Sequence, residues 1–135
     1  MDEPLAREAA LKLKEISYVH AEAYAAGELK HGTIALIAEG TPVVSFMTQE
    51  GVWDKMISNI HEVRARGAHA LAIVRENGFG LEGLVEGVIT LPAVPDLFAP
   101  VLAAVPAQLI AYEAAAALGR DVDQPRNLAK SVTVE

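Results

Sequence analysis

Cysteine is absent from this 135-residue sequence. That removes disulfides, thiolate nucleophiles and Cys-ligated metals from consideration. Cations are few: 11 Lys and Arg stand against 18 Asp and Glu, a formal charge of −7. They are scattered rather than gathered into the stripe that neutralising a phosphate backbone needs, so no nucleic-acid partner is expected. The acidic balance describes a soluble surface and, with the lack of cysteine, suits a cytoplasmic protein. Met1, Asp2, Glu3 and Pro4 lack the basic and apolar regions of a secretory signal. Residues 97–118 are long and apolar enough to cross a bilayer, but they are Ala-rich and contain Pro100, Pro106, Gln108 and Glu113. They read as a buried helix, with no membrane partner expected.

Apolar residues make up 52% of the chain, enough for one domain with a sizeable core. Leu5, Ala9, Leu13 and Ile16 recur at helical spacing behind Pro4, which suits a helix's first turn. Residues 18–31 read as a second helical stretch, broken at Gly27 and Gly32; 34–37 is a short apolar piece of undetermined type. Residues 42–47 and 70–74 read as buried strands. Between them Trp53, Met56, Ile57, Ile60 and Val63 form the cleanest amphipathic helix, with Arg64 and Arg66 in its last turn and Gly67 to stop it. Asn77, Gly78 and Gly80 mark a loop, and 85–91 a third strand. Asp96 is placed to cap a long final helix that stops at Gly119, and a polar tail follows.

This order predicts an α/β fold with a parallel sheet covered on both faces. Three strands make a thin sheet with open edges, which a further strand or a partner would cover. His20 and Glu22 lack a third ligand at metal-site spacing, so no metal is expected. Gly78 and Gly80 do not have the strand-to-helix spacing of a phosphate cradle. His61 and His69 read as structural or exposed, and Trp53 as core.

Two segments carry a resemblance: ALKLKEISYVHAEAYAAGELKHG at 10–32 and DVDQPRNLAKSVTVE at 121–135. Residues 58–60, 62–67 and 108–112 (SNI, EVRARG, QLIAY) add to it. They resemble the second sugar-isomerase (SIS) subdomain of the glutamine–fructose-6-phosphate aminotransferases, and the resemblance runs over essentially the whole chain. Thr33 stands where that family usually has Pro, Glu113 where His is common, and 75–83 is richer in glycine. The resemblance implies an SIS-type three-layer αβα fold whose parallel sheet lacks its first strand. Residues 1–135 would be a partial second SIS subdomain, with 120–135 as a C-terminal active-site tail. The glutaminase domain, with its terminal Cys nucleophile, and the first SIS subdomain, with the Ser/Thr-rich loop that holds the sugar phosphate, have no counterpart here. The family's reaction converts fructose 6-phosphate and glutamine-derived ammonia to glucosamine 6-phosphate. It implies a sugar phosphate as ligand, a homo-oligomer as assembly and no cofactor.

Four residues match family positions with catalytic roles. Lys130 matches the lysine that forms an imine with the open-chain ketone. A lysine attacks a carbonyl only as the neutral amine, and read alone Lys130 is equally a solvated side chain near a terminus. Glu15 matches the base that moves a proton between adjacent sugar carbons. Lys12, three residues earlier, matches a lysine beside those carbons; read alone, the two are an ordinary surface pair. His31, in the GELKHG motif at 27–32, matches a histidine that helps open the sugar ring and reaches the site from the neighbouring subunit. Read alone, it caps a helix end before Gly32. Ala129 matches a position whose backbone approaches the sugar, and Arg126 and Asn127 can hold the tail or line the pocket. Two other functions stay open: a non-catalytic SIS module that binds a sugar phosphate, and an inactive fragment that self-associates through its incomplete sheet.

Overall fold

The computed structural model describes residues 2–76 and 79–128. Ala129 and Lys130, and the loop residues Asn77 and Gly78, lie outside that set. Helix α1 spans Asp2–Ser17, with Pro4 in its first turn as expected. Strand β1 is Pro42–Met47, helix α2 Trp53–Arg64, strand β2 His69–Arg75, strand β3 Gly87–Leu91 and helix α3 Ala99–Ala117.

The three strands are parallel in the order β1-β2-β3. Pro42 faces His69 and Met47 faces Val74 across one pair; Leu71 faces Gly87 and Arg75 faces Leu91 across the other. Alternate side chains of a strand serve opposite faces, and two cores follow from that. On one face Met47, Ala70, Ala72 and Val74 meet Ile60 of α2, with Trp53, Met56 and Ile57 packed against them. On the other face Phe46, Ile73 and Leu91 meet Leu5, Ala6 and Ala9 of α1 and Ala103 and Ala107 of α3. The result is the expected αβα arrangement: α2 in one outer layer, α1 and α3 together in the other.

Helices α1 and α3 lie along each other. The buried stripe of α3 is Ala99, Ala103, Ala107, Ala111 and Ala115, with Pro106 beside it. Five alanines at i, i+4 spacing leave a shallow groove, so a neighbouring helix can approach closely. At its start α1 is fixed to the sheet, because the Asp2 carboxylate accepts the Thr48 backbone N–H at 2.9 Å and the Thr48 hydroxyl at 2.5 Å.

Helix α2 stops where Gly67 adopts φ +88°. A Cβ there would stand 2.8 Å from the Glu39 Cα, so both the left-handed conformation and the close backbone approach call for glycine.

Several sequence expectations are corrected. Residues 18–31 do not form a second α-helix: α1 ends at Ser17, and a 3-10 helix spans only Ala26–His31. Ser17 closes α1 by donating its hydroxyl to the Leu13 carbonyl at 2.5 Å and accepting the Val19 N–H, and Tyr18 turns left-handed at φ 63°. The short apolar piece is a second 3-10 helix, Thr33–Leu36. Strand β3 begins at Gly87 rather than at 85, because Leu84 and Val85 pack into the α2-side core instead. Asp96 caps nothing: it pairs with Arg75 at 2.8 Å, and Phe98 takes the N-cap of α3. Helix α3 is buried along its alanine stripe only. Val101, Val105, Leu109 and Tyr112 form an exposed apolar face, with Val101 68% accessible.

Overpacking separates the two faces of α3. Ala103→Leu, at a site with no accessible surface, should cost about 1–3 kcal/mol of stability. Val101→Leu, on the outer face, should leave the urea-unfolding midpoint within error of the parent. Equal midpoints for the two variants would contradict the close α1–α3 seam.

Candidate active site

Lys12 and Glu15 lie in the C-terminal half of α1 and are part-buried, whereas Arg7, Glu8, Leu11 and Lys14 are exposed. The Lys12 ammonium donates to Glu15 Oε2 at 2.9 Å and lies 3.4 Å from Glu8 Oε1. Both side chains are only partly covered, Lys12 at 36% and Glu15 at 27% accessibility. The hydrogen bond to Glu15, with the charges of Glu15 and Glu8, raises the Lys12 pKa above its ordinary value against an opposing desolvation. Lys12 is therefore an ammonium throughout the neutral range. It can hold a carboxylate or a developing sugar oxyanion in place, but it is not a base there.

His31 ends the 3-10 helix Ala26–His31 and is exposed. That segment lies against α2, where Lys30 pairs with Glu62, whereas Lys12 and Glu15 ride on α1 in the opposite layer. The structure thus brings Lys12 and Glu15 together and sets His31 apart from them. Ala129 and Lys130 fall outside the described residues, but the segment leading to them does not. Gly119 turns the chain out of α3 at φ 64°, and the Arg120 N–H bonds back to the Ala115 carbonyl at 2.9 Å. The Asp121 carboxylate then accepts the N–H groups of Asp123 and Gln124, each at 3.0 Å. Finally the Arg126 backbone N–H donates to the Tyr18 hydroxyl oxygen at 2.8 Å. The segment that precedes Lys130 therefore returns to the end of α1, one turn beyond Glu15.

Tyr18 and Arg120 were not legible as site residues. Tyr18 lies within a recognisable stretch, but nothing in its neighbours announces a left-handed tyrosine or the distant arginines that meet its ring. Arg126 was legible as a residue able to hold the tail or line a pocket, without its partner.

Two clefts lie elsewhere. One of about 260 Å³ opens beyond the C-terminal ends of β1 and β2, lined by Met47, Thr48, Trp53, Arg75 and Phe79 among others. Here the Trp53 indole N–H donates to the Phe79 carbonyl at 3.1 Å. Arg75 donates to the Val94 carbonyl at 2.7 Å and pairs with Glu50 and Asp96. The other, about 330 Å³, lies between the end of β2, the 81–83 turn and β3. Neither contains Lys12, Glu15 or His31. The charged pair of α1 does not coincide with either of these two clefts.

The parallel αβα arrangement is that of an SIS domain, and the SIS domain family matches residues 2–118. The chain belongs to that family. More particularly, it is 59% identical over all of its 135 residues to the glutamine–fructose-6-phosphate aminotransferase (isomerizing) of Clostridium acetobutylicum, covering 22% of that protein. It is 60% identical over 132 residues, 98% of its length, to the enzyme of the same name from Thermus thermophilus, again covering 22%. The solved C-terminal domain of glucosamine-fructose-6-phosphate aminotransferase from Francisella tularensis superposes with a TM-score of 0.81 at 44% identity, over 90% of this chain and 34% of that one. The resemblance and the fold class expected from the 10–32 and 121–135 segments are both borne out.

The raised Lys12 pKa has a defined sign. An amine whose folded pKa exceeds its unfolded one adds stability at pH values below the ordinary lysine pKa, and that stability is lost as pH rises through the raised value. The stability that comes from the raised Lys12 pKa should therefore be flat through neutral pH and be lost in alkali. Glu15→Gln should speed acylation of Lys12 at pH 8 by roughly twofold, the factor a surface pair of a few tenths of a kcal/mol supports. Peptide mapping of the modified chain measures this, and an unchanged rate would show that Glu15 does not hold the ammonium.

Proposed function

We propose that this chain is the C-terminal isomerase part of a glutamine–fructose-6-phosphate aminotransferase (isomerising), working in amino-sugar synthesis. The observation that carries the reading is 59% identity across every residue of the chain to an enzyme of that name. In this reading residues 1–135 are a part of the second SIS subdomain and 120–135 its active-site tail. The substrate is fructose 6-phosphate, and the product of the complete enzyme is glucosamine 6-phosphate. Phosphate binding and the release of ammonia from glutamine fall to parts of the enzyme beyond this chain.

The roles follow from the chemistry of each group. Lys130, as a neutral amine, adds to the C2 ketone of the open-chain sugar, and water leaves as the imine forms. Ammonia then displaces the Lys130 amine from C2, leaving the sugar's own C2 imine and a free lysine, and this C=N bond acidifies the proton on C1. Glu15 takes that proton and returns it to C2, while the Lys12 ammonium keeps the carboxylate aimed and balances charge on the sugar oxygens. His31 assists ring opening, for which a side chain titrating near neutrality is suited. Its place in the α2 layer, apart from Glu15, supports a site completed by His31 of a second subunit, and hence a homo-oligomer. The exposed apolar face of α3 and the open edges β1 and β3 also favour self-association, the feature on which an inactive associating fragment would rest. The acidic balance supports a cytoplasmic protein that engages neither nucleic acid nor membrane.

Incubation with fructose 6-phosphate and borohydride, followed by mass-spectrometric mapping, tests the reading. The expected result is a sugar-phosphate adduct confined to Lys130 and lost in Lys130→Arg. An adduct spread evenly over Lys12, Lys14, Lys30, Lys55 and Lys130, or none at all, would defeat it. Glu15→Gln should retain the adduct but lower solvent-deuterium exchange at C1 by about 10²–10⁴-fold, the usual contribution of a general base.

A further inference from the structure

We propose that Tyr18 is a positioning residue that anchors the C-terminal segment beside Glu15; the consequence for Lys130 rests on the imine role proposed above. The first observation is the backbone. Tyr18 adopts φ 63° directly after α1, a conformation in which helices usually place glycine and which a bulky residue seldom takes. Helix termination alone would be served better by glycine. The helix end is also closed without help from the ring: the Tyr18 N–H reaches the Lys14 carbonyl at 3.2 Å, and the buried Ser17 bridges Leu13 and Val19. The side chain of Tyr18 therefore has another task.

Its neighbours show which. The hydroxyl oxygen accepts the backbone N–H of Arg126, and the guanidinium of the same residue lies 4.2 Å from the ring centroid. A second guanidinium, that of Arg120, lies 5.4 Å from it. One aromatic side chain thus grips the segment at both ends, by a hydrogen bond and two cation–π contacts. Between the two arginines, Asp121 folds the backbone on itself through the Asp123 and Gln124 amides. The segment arrives as a preformed turn fastened to a single tyrosine. Lys130 is four residues beyond Arg126, and four peptide units span at most about 15 Å. On the imine role proposed above, fastening Arg126 at Tyr18, three residues past Glu15, keeps the tether of Lys130 short on the α1 side. Such confinement raises the effective concentration of a reacting group without any new contact to substrate.

Three variants test this in the full chain, read by hydrogen exchange of residues 120–128 and by the rate of reductive trapping at Lys130. Tyr18→Gly suits the left-handed backbone but removes ring and hydroxyl. It should leave the melting temperature unchanged or higher and keep the α1 amides protected. Exchange at 120–128 should rise by about tenfold, the factor expected when one neutral hydrogen bond and two exposed cation–π interactions are removed together, and trapping at Lys130 should slow. Tyr18→Phe keeps the ring and loses the acceptor, so it should fall between parent and Tyr18→Gly. Arg126→Gln should reproduce part of the effect. Unchanged exchange at 120–128 in Tyr18→Gly would overturn the anchor. Raised exchange with undiminished trapping would overturn its positioning role. If the parent chain forms no adduct, the imine role of Lys130 fails, while the anchor is still decided by the exchange rates.

Discussion

The close contact of α1 with α3 is the constraint on which the rest of this structure depends. It is made possible by the alanine stripe from Ala99 to Ala115, which offers α1 a groove instead of a ridge. Leu5, Ala6 and Ala9 then reach past α3 to Phe46 and Ile73 on the sheet. With α1 seated on both neighbours, the helix is held at a fixed height above the sheet, and the part-buried Lys12 and Glu15 are held on it as a pair. Larger residues in the stripe would lift α1 off the strands and move that pair. Polar groups add direction rather than area: the Asp2 carboxylate on Thr48 sets where the helix starts, and Ser17 with Tyr18 sets where it ends.

The candidate chemistry is divided between layers in a way that follows from the fold. Glu15 and Lys12 belong to the α1–α3 layer and His31 to a 3-10 segment on the α2 side. A three-stranded sheet separates the layers, so these groups meet only if another copy or another part of a longer enzyme supplies the complement. The concave surfaces of the single chain agree with this, since they are lined by other residues. Arg75, the most enclosed charge there, is occupied with Glu50, Asp96 and the Val94 carbonyl, and it ties the end of β2 to the chain entering α3.

Much of this was legible in the residues, for identifiable reasons. The strands β1 and β2 are short β-branched and apolar runs bounded by turn residues, and α2 has a clean apolar face ended by Gly67. These are local signals, and the fold respects them. The boundaries that shifted were decided by distant partners. Nothing between residues 18 and 31 shows that Ser17 will close α1 with its own hydroxyl, because alanine-rich sequence continues a helix as readily as it leaves one. Asp96 had the composition of a cap, but Arg75, some twenty residues earlier, has the stronger claim on its charge. Of the candidate site, the contact between Lys12 and Glu15 follows from spacing, while their assignment to chemistry came from the resemblance. The grip of Tyr18 on Arg120 and Arg126 joins residues about a hundred positions apart, a separation that no periodicity encodes.

The α1–α3 seam also bears on how the chain is made. The unit β1–α2–β2–β3 is built from neighbours in sequence, with its own core on the α2 side. Helix α1 also touches β1, but its principal partner α3 lies about eighty residues downstream, so that contact closes a long loop. A loop of this length weighs more on the rate of folding than on the stability of the product. The helix that carries Lys12 and Glu15 is thus held by the longest-range contact between α-helices among the described residues.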